Sequence, residues 1–271
     1  MERKKWWLSR PQDSTNTNLS PLYSYIKAGE ERKVLYHYTS VESLLKIIAN
    51  ANMKFSRIDR VNDPFEKRSL LYDDLYKAVY IACFGHDENE SIPLWKMYTP
   101  KGQGVRVGFF FKGPNIHDNF LDSSRTILDS NNSEVDWISL LSKDQEGTAR
   151  MMIKDVQYSD RGDDFRSMSI QNGVVDVMPD VVGAYKTTIW EYEHETRIVL
   201  YLLDEDEARR MDSDYLIIPI NTGYLERIEV RFDPWMSTEL KRCIEQGFLE
   251  YSNKWGIQID CADSNLCGRI Q

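Results

Sequence analysis

The chain is predicted to be an α+β protein, with mixed and antiparallel sheets flanked by helices. Three observations predict this. Short runs rich in β-branched and aromatic residues recur from residue 34 onward, each bounded by charges or turn residues. Amphipathic helical patterns stand between some of these runs, without the strict alternation that a parallel βαβ sheet requires. The 271 residues, 41% hydrophobic and 28% charged, are enough to bury a substantial core.

The elements follow in order. Residues 1–30 read as a flexible lead-in: the basic start lacks the apolar core of a secretory signal, and 9–21 are rich in Ser, Thr, Asn and Pro. Residues 31–271 read as a single α+β domain, with 115–185 as an insertion or variable region. Val34 to Tyr38 is a predicted strand. Val41, Leu44, Leu45 and Ile48 then recur at helical spacing, and Thr39 with Glu42 forms a capping-box pair for that helix. Met53 to Ser56 reads as a brief strand and Asn62-Asp-Pro64 as a turn. A helix is expected over 66–78, then strands at Val79 to Phe84 and Gly104 to Phe111. In the weaker middle third, Trp137 to Leu141 begins a helix. Thr188 to Leu203 is read as one strand, and Asp204 to Arg210 as a solvated charge run. Ile228, Val230 and Phe232 alternate with charged residues as a half-buried strand does. Asp233-Pro234 then opens a helix whose stripe is Met236, Leu240, Cys243, Ile244, Phe248 and Tyr251, and Ile257 to Cys261 is the last strand.

Composition excludes several classes. Thirty-four Lys and Arg against 43 Asp and Glu leave a net charge of −9, which argues against a large phosphate-tracking surface. No run of about 18 apolar residues is present, so no spanning helix and no membrane partner are expected. The four cysteines, Cys83, Cys243, Cys261 and Cys267, show no C-x-x-C spacing and read as free thiols of a cytoplasmic protein. Phosphate-loop, dinucleotide-fingerprint, H-E-x-x-H and G-x-S-x-G patterns are absent from the sequence.

Four constellations carry possible chemistry. Leu35-Tyr-His-Tyr-Thr-Ser40 places His37 at a strand-to-helix junction, where its ring can meet a ligand beside hydroxyls and helix amides; a hydrogen-bonded core histidine is the plainer reading. Asn62-Asp-Pro-Phe-Glu66 is a turn bearing two carboxylates. Cys83-Phe84-Gly85 precedes Leu94-Trp-Lys-Met-Tyr98, whose Trp95 and Tyr98 are neighbours on a helix face, able to pack in a core or stack on a planar ring. In Lys186 to Arg197, a strand would align Glu191, Glu193, Glu195 and Arg197 on one face. Such crowding raises carboxyl pKa values, as a general base requires. Asp63, Glu66, Glu193 and Glu195 could instead form an oxygen-rich Mg²⁺ site of the nuclease kind, and Cys83 with His37 is a weaker nucleophile pair.

These motifs resemble, in order, the bacterial domain of unknown function 2971 family: H-Y-T-S, N-D-P-x-E, C-F, L-W-x-x-Y, a strand ending in G-F, and K-x-x-x-W-x-Y-E-x-E-x-R. That order is similar to the His–Tyr–Glu branch of the ADP-ribosyltransferase superfamily. The resemblance implies a split-sandwich fold and an NAD-consuming transferase or NAD glycohydrolase, toxin-like or active in anti-phage defence, that needs no metal. It implies that His37 binds the NAD ribose, with Tyr38, Thr39 and Ser40 beside it. Phe84 or Tyr98 would stack on nicotinamide, with Trp95 and Arg197 also in the NAD site. Glu195, with Glu193 next to it, would stabilise the ribosyl cation, and a protein or nucleic acid would be the acceptor. Tyr38 departs from the small residue that usually follows the histidine. Two other readings stand beside this one: the metal-dependent nuclease, and an inactive ligand-sensing or interaction module. The transferase reading expects His37 and Glu195 about 10 Å apart or less across one cleft.

Overall fold

A computed structural model of the protein describes residues 7–8, 29, 31–63, 66, 75–135, 149–161, 168–171, 174–177, 181–202 and 213–269. Its strands are β1 (Trp7–Leu8), β2 (Val34–Ser40), β3 (Asn52–Arg57), β4 (Val79–Gly85), β5 (Gly104–Phe111), β6 (Ile127–Leu128), β7 (Glu134–Val135) and β8 (Ala149–Asp155). They continue as β9 (Gln157–Tyr158), β10 (Met168–Gln171), β11 (Val174–Val177), β12 (Tyr185–Lys186), β13 (Glu195–Leu202), β14 (Tyr215–Pro219), β15 (Leu225–Phe232) and β16 (Gln258–Asp263). The longer helices are α1 (Val41–Asn50), α2 (Ile92–Tyr98) and α3 (Thr238–Trp255). The mixture, mostly antiparallel in its pairing, is the expected α+β class.

One branched sheet of 11 strands organises these elements, in the order β16-β15-β5-β2-β4-β3-β14-β6-β7. The branch is at β4. One edge of β4 pairs antiparallel with β13, from Glu195 opposite Gly85 to Tyr201 opposite Val79, and β8 covers the far edge of β13. The other edge of β4 is shared by two strands. Tyr36 of β2 pairs with Gly85 at one end, while Ser56 and Arg57 of β3 pair with Ile81 and Tyr80 at the other. Between these pairings β2 and β3 splay apart, leaving Ala82, Cys83 and Phe84 without a strand partner on that edge.

The burial pattern explains why β13 is central. Ile198, Leu200 and Leu202 face the main core, and Val199 and Tyr201 face a second one with Ile81 and Val182. A strand covered on both faces reads as a continuous apolar run, as Ile198 to Leu202 does. α1 packs Leu44 and Ile48 into the main core and runs between β2 and β3 at the point where they part.

Several expectations change. Ser40, not Thr39, caps α1, accepting a bond from the Ser43 N–H, because Thr39 is still in β2. α3 starts at Thr238 under a Ser237 cap; Asp233 is instead a turn residue accepting from the Trp235 and Gly102 amides. Ile244 and Phe248 are buried as expected, whereas Cys243 is exposed. Leu75–Ala78 is a 3₁₀ turn, and residues 67–74 of the expected helix lie outside the described residues. So do 9–21, 137–141 and 204–210. The largest change is at Thr188–Glu193, which is a 3₁₀ turn; β13 starts only at Glu195. Ile189 is exposed there, and Trp190 and Tyr192 do not share a core face with Ile198. Ala149–Asp155, read from sequence as part of a variable region, is β8 of the main sheet.

Leu200 has no exposed surface, so Leu200→Ala should cost about 2–5 kcal/mol, read as a lower urea midpoint with an unchanged slope.

Candidate functional site

The start of β13 is set by a backbone reversal. His194 ends the turn in the left-handed conformation (φ 42°), its N–H bonded to the Glu191 carbonyl. Glu193 therefore enters from a turn and Glu195 from a strand, and both are buried in the same place, while Glu191 stays exposed. Strand alternation does not align the three carboxylates, although it does align Glu195 with Arg197 two residues on.

Arg197 uses all of its donors. Nε and Nη2 reach Glu195 at 2.8 and 3.0 Å, Nη1 and Nη2 grip both oxygens of Glu66, and Nη1 also reaches the Gly183 carbonyl at 3.0 Å. Lys186 continues the series, with Nζ on Glu193 and 3.1 Å from Glu195. The Tyr98 hydroxyl donates to the other Glu193 oxygen and accepts from the Asn62 amide. The result is an alternating buried chain: Glu66, Arg197, Glu195, Lys186, Glu193, Tyr98. Asp63 fastens its edge by accepting from the Thr187 N–H and hydroxyl. Asn62, Asp63 and Glu66 thus all grip the Lys186–Arg197 segment or its partner Tyr98, which is the physical reason for two distant sequence motifs.

Three carboxylates against two cations give the network an excess negative charge when all three are ionised, which favours a proton on one of them. Burial pushes the Glu66 carboxyl up to about 7 against the pull of Arg197. Burial, then the charge of Glu195, also raises Glu193. At Glu195 burial acts in the same sense, but Arg197 and Lys186 overcome it and hold the acid down to about 2.

A cavity of about 900 Å³ opens where β2 and β3 leave β4. His37, Tyr38, Thr39, Phe84, Tyr98, Glu193, Glu195 and Arg197 all line it. His37 stands in the gap itself, its Nδ1 3.0 Å from the Cys83 carbonyl that no strand pairs. A carbonyl only accepts, so Nδ1 carries the hydrogen. Burial lowers the His37 pKa and favours the neutral ring, whose Nε2 is then a lone-pair acceptor. Phe84 stands 5.7 Å from the imidazole, centre to centre.

Two proposed binding residues lie elsewhere. Ser40 is spent on the α1 cap, and Trp95, 1% exposed, donates to Glu90 and packs edge-on against Tyr38. The cavity wall contains neither. His37 does not activate Cys83 as a nucleophile: it bonds the carbonyl, and burial pushes the thiol pKa up. Among the described residues no group of three or more His, Cys, Asp or Glu is arranged to hold a metal ion. Glu66, Glu193 and Glu195 spend their oxygens on Arg197, Lys186 and Tyr98 instead. Sequence reasoning left Lys186 without a role and read Glu66 as a turn carboxylate or a metal ligand; their signal is complementary charge between two motifs 120 residues or so apart, which becomes readable only in three dimensions.

No family model and no curated protein matches the chain, so the resemblance to the domain-of-unknown-function family gains no support there. Two solved structures are similar over most of its length. Thermus sp. 2.9 DarT in complex with NAD+ has a TM-score of 0.34 and 8% identity, covering 86% of this chain and 96% of that one. Thermus sp. 2.9 DarT in complex with carba-NAD+ has a TM-score of 0.28 and 10% identity, covering 85% and 95%. Such scores carry no functional weight beside the geometry of the chain itself. No helix among the described residues is long and apolar enough to cross a membrane.

Arg197→Met should destabilise the fold by about 3–5 kcal/mol, because it leaves three buried carboxylates facing one cation; urea unfolding measures this. Glu66 supplies a pH signature. Its folded pKa lies above the ordinary 4.5, so its contribution is full below pH 4.5 and is lost as pH rises through about 7. Glu195 runs oppositely, full above 4.5 and lost as pH falls toward 2. Glu66→Gln mimics the protonated acid, so the stability of wild type relative to this variant should fall between pH 4.5 and about 7. A flat difference across that window would contradict the raised value.

Proposed function

We propose that the chain is an NAD-consuming enzyme of the ADP-ribosyltransferase kind. One observation carries the reading: His37, at the parting of β2 from β4, and the Glu193–Glu195 pair, at the start of β13, line one cavity whose lining also includes Lys46, Lys54 and Arg60. Lys46 and Arg60 are paired with Glu42 and Asp214, which leaves Lys54 as the cation of the three with no carboxylate partner among the described residues. The cavity suits an elongated ligand with phosphates at its middle and a developing positive charge at one end.

The residues divide the work. His37 Nε2 accepts a hydrogen bond from a ribose hydroxyl, with Tyr38 and Thr39 beside it. Phe84 or Tyr98 supplies the ring against nicotinamide. The nicotinamide–ribose bond breaks with its electron pair going to the ring nitrogen, and the ribose carbon becomes cationic. Glu195, held ionised by Arg197 and Lys186, fixes negative charge near that carbon. Glu193, with the higher proton affinity, takes the proton released as an acceptor on protein or nucleic acid, or water, attacks. The opposite pKa shifts of the two glutamates support this division of roles.

The expected result is release of nicotinamide from labelled NAD by the full chain, alone or with cell lysate as the acceptor source. Glu193→Gln should reduce the rate by about 10²-fold or more, since positioned proton transfer contributes on that order, while thermal melting changes little. Binding of NAD without nicotinamide release would make the chain a ligand-sensing module, and Mg²⁺-dependent cutting of RNA would favour the nuclease reading.

A further inference from the structure

The strand register continues the cavity well beyond the carboxylates. Arg197 is opposite Cys83, Ser56 opposite Ile81, Tyr215 opposite Ser56, and Ile217 opposite both Lys54 and Leu128. Residues paired in this way share a sheet face. One face therefore runs from Glu195 and Arg197 across β4 and β3 to Tyr215, Ile217 and Leu128, and all of these line the cavity. α1 contributes Lys46 to the wall, and the β6–β7 turn contributes Asn132.

The far end has its own chemistry. Lys54 is exposed and, among the described residues, has no carboxylate partner; its Nζ sits 4.3 Å from the centre of the Tyr215 ring. Lys46 and Arg60 differ from it, being paired with Glu42 and Asp214 at 2.6 and 2.7 Å. The lysine marks where the π face of Tyr215 is open to the groove. Leu128 and Ile217 form an apolar floor beside that ring, and the Asn132 amide can both donate and accept.

We propose that this end is a subsite for a nucleoside phosphate, with the base stacked on Tyr215 and the phosphate held by Lys54. The base takes the position over the ring that the ammonium now occupies, and the ammonium turns to the phosphate. The proposal deepens the transferase reading by assigning the second nucleotide of the dinucleotide to β14 and the β6–β7 turn.

The test is isothermal titration of AMP into the full chain, with inorganic phosphate as the control, so that neither nicotinamide nor turnover is needed. AMP should bind, and phosphate alone should bind much more weakly. Tyr215→Ala and Lys54→Ala should each weaken AMP by about tenfold, and Tyr215→Phe should retain affinity. AMP binding that is lost in this pattern supports the subsite even where NAD is never turned over. Absence of AMP binding, equal affinity of wild type and Tyr215→Ala, or phosphate binding as tightly as AMP would overturn it.

Discussion

A guanidinium with no exposed surface governs the centre of this protein. Burying Arg197 is unfavourable unless every donor is satisfied, and the fold satisfies each: two carboxylates take two adjacent edges of the guanidinium, and a backbone carbonyl takes the remaining hydrogen. This single requirement draws together the Glu66 turn, the loop at Gly183 and the first residues of β13. Lys186 then becomes necessary, because Glu195 and Glu193 would otherwise repel each other with no cation between them. The network is a structural keystone and the chemical wall of the cavity at once.

The second organising feature is a missing strand pairing. β2 and β3 compete for one edge of β4 and each takes one end of it. The backbone left between them is not abandoned, because the His37 side chain supplies the hydrogen bond that a strand would have supplied. That substitution fixes the imidazole tautomer and leaves its second nitrogen as a hydrogen-bond acceptor. A split sheet thereby creates both the opening and the group that polarises it.

Charge is distributed along the groove rather than around it. The carboxylate end is internally compensated and holds its groups rigidly. The opposite end carries cations on exposed positions of α1 and β3. The two ends of the cavity therefore differ in charge, and that asymmetry distinguishes one orientation of a charged ligand from the other.

The helices at 41–50 and 238–255 and the strand at 225–232 were legible in the sequence because each repeats a period of 3.6 or 2 that burial of one face enforces, and the strands at 34–40, 79–85 and 104–111 because each is a run of β-branched and aromatic residues bounded by charges or turn residues. The ordered motifs around His37, Cys83 and Glu195 were legible for a different reason: clustered polar and aromatic residues interrupt those periods. β8 escaped notice because its apolar run, Met151-Met-Ile153, is short and is flanked by Arg150 and Lys154, which leaves too little of a strand pattern to detect. The turn at 188–193 was misread as strand because Trp190 and Tyr192 mimic alternation, and a left-handed His194 cannot be anticipated from its neighbours. By itself the sequence determined which residues are charged, which are apolar and where the regular elements run. Only the tertiary structure decided that Glu66 meets Arg197 and that β2 and β3 part beside Cys83, since both depend on contacts between distant segments that no local periodicity encodes.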